Sequence, residues 1–351
     1  MGSMTKVDMR FLVPSAGAGS SISVIKAIVG QGGFVLAVDM DQASAGLFLA
    51  NKQALVPRCS DHGYVQRILD LCAWQKIQIV IPINDLELKV FNRADVRNQF
   101  RLAGVHLAMN PHPCVHAGIC KKASWAVVNG AGLLQPYTFS TENLKSPRHF
   151  WRSLTFPLIV KPAQGVGGQG QKVANCLADV KQPPFQVPTG YPNYDYLWQD
   201  YIHGVEYSVD TWGDPFSERF VAVPRLRQEV RFGQITKGQT VDDAEVIHFV
   251  RQICQAFKSK DVCCVQVIRC AKSNRLYFIE MNPRYGTGVS LSIAAGANFP
   301  LLQWLQVYIP DDIQRDMLAY EPNLRMLRHW QEIYWRKSFD GTCSMAKIGQ
   351  G

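Results

Sequence analysis

No run of eighteen or more apolar residues occurs in the 351-residue sequence, and its start has no charged segment leading into an apolar one. A membrane-crossing helix and a secretory leader need those patterns, so the expectation is a cytoplasmic chain with no membrane partner. The ten cysteines are scattered, without the paired C-x-x-C spacing of a zinc site. Cys263 and Cys264 are neighbours, and on a strand they would face opposite ways. The thiols therefore read as reduced rather than as a disulfide frame. Gly-Lys-Ser/Thr never opens a helix after a glycine-rich turn, which removes the P-loop. No catalytic triad suggests itself. The net charge of +9 is spread along the chain rather than clustered, so nucleic acid is not the expected partner. Holding polyanionic phosphates accounts for it better.

What is present is enough apolar material, 47% of residues, to bury a full core in two or three lobes. An apolar strand at residues 9–13 stops at Pro14-Ser-Ala-Gly-Ala-Gly-Ser-Ser21. An amphipathic helix then runs to Val29, Gly30-Gln-Gly-Gly33 ends it, and Phe34–Asp39 is a second strand closing on an acid. This is a βαβ unit with a Rossmann flavour. The third glycine of the dinucleotide fingerprint is missing and no second nucleotide half follows, so a dehydrogenase is the least supported reading. A helix at 65–74, a buried strand at 77–82 and a helix opened by Asn84-Asp-Leu-Glu87 come next, then a linker at Asn110-Pro-His-Pro113.

Two later stretches carry chemistry. Phe156–Pro162 reads as a strand delivering Lys161 beside Gln164-Gly-Val-Gly-Gly-Gln-Gly170, where Gly165, Gly167 and Gly168 would let backbone N–H groups close on phosphate oxygens. The second is Leu276-Tyr-Phe-Ile-Glu-Met-Asn-Pro-Arg-Tyr-Gly-Thr-Gly288. Side chains two apart on a strand share a face, so Glu280, Asn282 and Arg284 give two hard oxygen ligands and a cationic fork in a row. Such oxygens suit Mg²⁺, and arginine reads phosphate bidentately. Alternation also puts Arg225, Arg227 and Arg231 on one face, with Lys237 following, which asks for an anion; a strand kept soluble by charge is the competing account. Gln266 is the one polar residue of the apolar strand 262–268, which runs antiparallel to 276–280, and a buried carboxamide needs partners. A helix at 242–256 precedes it, residues 290–307 read as a helical cover, and the end from about Tyr320 as mixed and then disordered.

Ile279-Glu-Met-Asn-Pro-Arg-Tyr-Gly-Thr-Gly288 resembles the metal-binding strand of the ATP-grasp enzymes, closest to the carbamoyl phosphate synthetase-like branch with its Glu-x-Asn-Pro-Arg pattern. The likeness can be followed over about nine tenths of the chain. It implies an α/β protein: a pre-ATP-grasp domain at 1–110, a central lobe with a glycine lid at 111–197, a C-terminal lobe with the metal site at 198–335 and a tail at 336–351. It makes Gln266 a metal ligand with Glu280 and Asn282. Lys121 takes the family's phosphate-contacting lysine position by its spacing to Gly132, with Lys122 as the alternative register. Gln199 stands where a glutamate is usual, Asp200, Tyr201 and Ile202 form the adenine hinge, and Glu206 takes the ribose hydroxyls. The turn at Ser15–Ser20 with Asp85 and Glu87 either lines a substrate pocket or simply caps helices.

The resemblance thus implies ATP and Mg²⁺, with Mn²⁺ as the substitute ion, and an ATP-dependent ligase. A small carboxylate would be activated as an acyl phosphate and captured by an amine, with Arg284, Arg225, Arg227, Arg231 and Lys237 stabilising charge. A carboxylate or carbamate kinase that releases the acyl phosphate, and a catalytically silent nucleotide-binding scaffold, are the rival readings. A homodimer is common in the family, and no interface signal stands in the sequence.

Overall fold

The computed structural model describes residues 8–140, 154–162, 171–181, 196–231, 233–329, 331–337 and 343–345. The glycine-rich stretch 164–170, with Gly165, Gly167 and Gly168, lies outside them. The N-terminal part is a parallel sheet of β1 (Arg10–Val13), β2 (Phe34–Asp39), β3 (Lys52–Leu55), β4 (Ile79–Val80) and β5 (His106–Leu107), in the order β3-β2-β1-β4-β5. Helices α1 (Gly19–Gly30), α2 (Tyr64–Gln75), α3 (Asp85–Phe91) and α4 (Ala94–Leu102) connect the strands. β4 is shorter than the 77–82 run suggested, because only Ile79 and Val80 have strand partners on both sides. The start of α3 has a full capping box: Asn84 accepts from the Glu87 amide, and the Glu87 carboxylate returns to the Asn84 amide.

The expected linker at 110–113 is replaced by a pinned junction. Asn110 is fully buried, donates to the Val262 carbonyl at 2.9 Å and accepts from the amides of Lys260 and Asp261. Pro113 sits in the first turn of α5 (His112–Ile119), where its missing N–H costs nothing. α6 (Lys121–Gly130) follows. A four-stranded sheet, ordered β6-β9-β7-β8, combines β6 (Thr138–Ser140), β7 (Leu158–Pro162), β8 (Lys172–Ala174) and β9 (Tyr196–Asp200), with α7 (Leu177–Lys181) after β8.

The largest sheet holds β10 (Gly204–Gly213), β11 (Phe220–Arg231), β12 (Gln234–Thr240), β13 (Cys263–Cys270), β14 (Leu276–Asn282) and β15 (Arg325–Leu327), ordered β14-β13-β10-β11-β12-β15. α8 (Ala244–Phe257) covers its apolar face through Val246, Val250, Ile253 and Phe257 against Val209, Val265, Val267 and Met281. The opposite face carries the polar residues Glu206, Ser208, Asp210, Arg225 and Gln266, and at one end the apolar Trp212 and Val223. α9 (Val289–Ala294) and α10 (Phe299–Tyr308) pack on α1. One apolar core runs from Phe11, Val35 and Ile79 to Trp212, Val223, Tyr285 and Leu302, so the parallel and antiparallel sheets share an interior. In the end of the chain, expected to be mixed and then disordered, residues 338–342 and 346–351 lie outside the described residues. The described part is built in: β15 joins the large sheet, β16 (Trp335–Lys337) pairs antiparallel with β17 (Cys343–Met345), and Trp335 stacks on Phe48 at 5.6 Å.

Candidate active site

Strict alternation along β14 would put Glu280 on the same face as Phe278, which is 1% exposed in the core. The register prevents this. Gln266 lies opposite Glu280 but Val267 opposite Phe278, so Ile279 is an extra residue and the strand carries a bulge. A bulge re-aims the side chains on either side of it relative to one another. Phe278 and Met281 thereby both enter the core, while Glu280 and Asn282 turn to the polar face beside Gln266 and Cys264.

That face continues across the sheet. On β10, Glu206, Ser208 and Asp210 lie opposite Ile268, Gln266 and Cys264. On β11, Arg225 lies opposite Ser208, and Arg227 reaches Glu206 at 3.1 Å and Ser208 at 3.2 Å. Asn282 Nδ2 donates to Glu280 Oε1 at 3.0 Å. Two lysines come from elsewhere: Lys161 at the end of β7 and Lys121 at the first position of α6. Burial lowers the pKa of both, Lys161 to about 8, and the Glu280 carboxylate is the nearest influence drawing each back up. Glu206 is pushed up chiefly by burial, which Arg227 opposes and Glu280 reinforces. Lys121, Lys161 and Glu206, from separate stretches of chain, thus lie within electrostatic reach of Glu280. Lys121 is half-buried and Lys122 is exposed.

Other expected positions are used differently. The Arg284 fork is taken by Asp85, with Nε to Oδ1 at 2.5 Å and Nη2 to Oδ2 at 3.2 Å. Arg284 thus ties the start of α3 to β14 instead of presenting a free fork to phosphate. Arg225 is 1% exposed and paired with the fully buried Asp210 at 2.8 Å; Ser292 donates to the same carboxylate at 2.7 Å. It lies under the 286–288 turn, where a Cβ on Gly288 would collide with its Nη1 and one on Gly286 would come within 2.6 Å of Cys264 Sγ. The glycines of this turn are needed because backbone passes directly over a buried ion pair. Arg231 leaves the face of Arg225 and Arg227 because β11 and β12 slip register between Arg227 and Val230, and both Arg231 and Lys237 pair with Glu229, at 2.7 and 2.8 Å. Glu87, read as a pocket acid or a cap, is buried in the capping box and accepts from Ser15 Oγ at 2.6 Å. At the hinge, the amides of Asp200 and Tyr201 are spent on the carbonyls of Tyr137 and Pro157, so of the three residues only Ile202 can offer an amide outward. Gln199 is buried and gives its amide nitrogen to Thr138 Oγ1 at 2.8 Å.

Sequence reasoning missed Asp210, although it stands four residues from Glu206 on one alternating strand and so shares its face. It also missed the bulge, since one extra residue leaves no compositional trace. The donor set that does converge, a carboxylate flanked by two carboxamides, is the hard oxygen chemistry that suits Mg²⁺. Lys121 and Lys161 lie within electrostatic reach of that set, and an ammonium group is a point charge of the kind that pairs with phosphate. Among the described residues no group of three or more His, Cys, Asp or Glu side chains is arranged to hold a metal ion.

Sheet order, the polar face of the large sheet and the strand-borne lysine together are those of the ATP-grasp fold. Residues 193–323 match the family model of the ATP-grasp in the biosynthetic pathway with Ter operon, and residues 11–108 that of the PylC-like N-terminal domain. The carbamoyl phosphate synthase large chain of Thermoanaerobacter pseudethanolicus is 24% identical over 142 residues, 37% of this chain but only 13% of that one. Among solved structures, the biotin carboxylase domain of Hydrogenobacter thermophilus 2-oxoglutarate carboxylase, in complex with MgADP, ADP and bicarbonate, superposes with TM-score 0.68 and 15% identity over 91% of this chain and 74% of that one. The L-amino acid ligase of Bacillus licheniformis gives TM-score 0.66 and 13% identity over 90% and 78%.

Proposed function

We propose that the protein is an ATP-dependent ligase that activates a carboxylate as an acyl phosphate and passes it to an amine. The observation that carries this reading is the convergence of Lys121, Lys161, Gln266 and Asn282 on Glu280. ATP would lie between the four-stranded and six-stranded sheets, with its base against Ile202 and the free oxygen of Gln199, its ribose at Glu206 and its phosphates toward Lys161 and Lys121. Gln266, Glu280 and Asn282 would hold Mg²⁺, which supplies charge neutralisation for the triphosphate. Asn282 has only to turn its amide, whose oxygen now accepts from Arg284 at 3.2 Å, to present that oxygen beside Glu280.

The substrate carboxylate attacks the γ-phosphorus and the bond to the β-phosphate oxygen breaks, leaving ADP. The amine then adds to the acyl carbon, phosphate departs with the electron pair, and the amine proton goes to solvent. The protein's part is positioning and electrostatics. The lysines meet charge developing on the transferred group, Arg227 holds Glu206 through their ion pair, and Arg284 with Asp85 fixes the strand end that carries the oxygen ligands.

The test is ADP release from paired carboxylates and amines, scored for amide against free acyl phosphate. Glu280→Gln should cut turnover on the order of a hundredfold or more with circular dichroism unchanged. Normal turnover in that variant, or ADP release that never depends on a carboxylate, would contradict the reading.

A further inference from the structure

Arg328, just beyond β15, stands apart from the charges discussed so far. Its Nη1 donates to Gln234 Oε1 and its Nη2 to the Thr287 carbonyl, both at 2.8 Å. Both partners are neutral, and among the described residues no carboxylate lies within ion-pair distance of it. Burial lowers its pKa, and the nearby Arg225 guanidinium lowers it further. A half-buried guanidinium held rigid by neutral acceptors, with a second guanidinium behind it, is electrostatically incomplete.

It faces a cavity of about 1210 Å³ between α1, the β11–β12 turn, α9 and the chain after β15. Four cations line it, Lys26, Arg231, Lys237 and Arg328, against two carboxylates, Glu229 and Glu332. Glu229 is already satisfied by Arg231 and Lys237. The remaining wall is largely aliphatic, with Ile22, Leu49, Ile293 and Ile333. Gly19 lies so close that a Cβ there would come within 3.6 Å of Arg328 Nη1. Thr287, whose carbonyl Arg328 holds, belongs to the turn that leaves β14 three residues beyond Arg284.

We infer that Arg328 is the anchor for a singly charged carboxylate on the non-nucleotide substrate, whose apolar body fills this cavity. Two of its five N–H groups are used, which leaves a fork for a bidentate carboxylate. Arg328 has no carboxylate partner among the described residues, and one guanidinium fork matches the two oxygens of one carboxylate. The cavity, about 1210 Å³, has room for such a body. This deepens the ligase reading and rests on it only in calling the bound anion a substrate.

The full chain, saturated with Mg-ADP, would be titrated in a calorimeter with N-acetyl-L-phenylalanine, N-acetyl-L-tryptophan, L-leucyl-L-leucine and 3-phenylpropionate, each beside its primary carboxamide, and with inorganic phosphate. At least one carboxylate should bind tenfold or more tightly than its carboxamide. Arg328→Gln should erase that preference, Arg328→Lys should keep part of it, and Mg-ADP affinity should stay within threefold in both. A carboxylate preference that survives Arg328→Gln, no preference in the unmodified protein, or phosphate binding that outcompetes every carboxylate would overturn the inference. Mg-ADP failing to bind the unmodified protein would sink the ligase reading instead, and the titrations repeated without nucleotide would still decide the role of Arg328.

Discussion

Lys161 is the residue whose charge state is most exposed to test. It is 5% exposed and its pKa falls to about 8, mainly through burial. The unfolded chain therefore holds this proton up to about pH 10.5 and the folded one only to about 8, so the folded state gains stability as pH rises between those values. Lys161→Met should flatten that rise in chemical denaturation measured from about pH 7.5 to 10. If Lys161 meets phosphate, nucleotide must pull its proton back. Calorimetry at about pH 8.5 in buffers of different ionisation heat should then show uptake of up to about one proton per nucleotide, lost in Lys161→Met. Equal heats in all buffers would remove Lys161 from the phosphate site. Lys161, Glu280, Asn282 and Gln266 stood out in the sequence because each is a polar residue in an apolar run. Arg225 was legible as a cation, but its role was not, since nothing local says that Asp210 waits beneath it.

At the scale of elements, the bulge in β14 and the glycines after it decide what the sheet presents. Gly288→Ala should cost about 3 kcal/mol or more, because the new methyl meets Arg225 and Ile235 where neither can move without disturbing the Asp210 pair. Gly30→Ala is the control: nothing lies within 4 Å of its Cβ position at the end of α1, and it should be neutral or stabilise by about 0.5–1 kcal/mol. Thermal melts of the two variants decide this; similar midpoints would mean the turn does not seal the pair. Helices and strands were mostly readable here: Phe34–Asp39 forms β2 as expected, and α8 differs from the expected span by two residues at the start and one at the end. What periodicity does not encode is an insertion of one residue, so the inward turn of Glu280 depended on pairing with β13. The register slip that turns Arg231 aside is the same kind of event.

For the whole molecule, sequence reading failed where local composition points to a loop and distant contacts override it. Asn110-Pro-His-Pro113 has every mark of a linker, yet Asn110 satisfies three backbone groups 150 or more positions away. The polar end of the chain looked unstructured because its partners, Phe48 and the α1 face, belong to the first fifty residues. Truncation after His329 should strip Ile333 and Trp335 from the shared core, lower the melting temperature by several degrees and open the cavity beside Arg328. An unchanged melting curve would show that the β16–β17 pair adds nothing to the fold.

Asp85 and Arg284 stand 199 positions apart, yet each completes the other. The two halves of this chain are therefore poor candidates for shuffling. A chimera that grafts a foreign N-terminal sheet onto residues 111–351 would need an acid in register at the first position of its third helix. Without one, the strand end bearing Asn282 loses its brace even if both grafted parts fold.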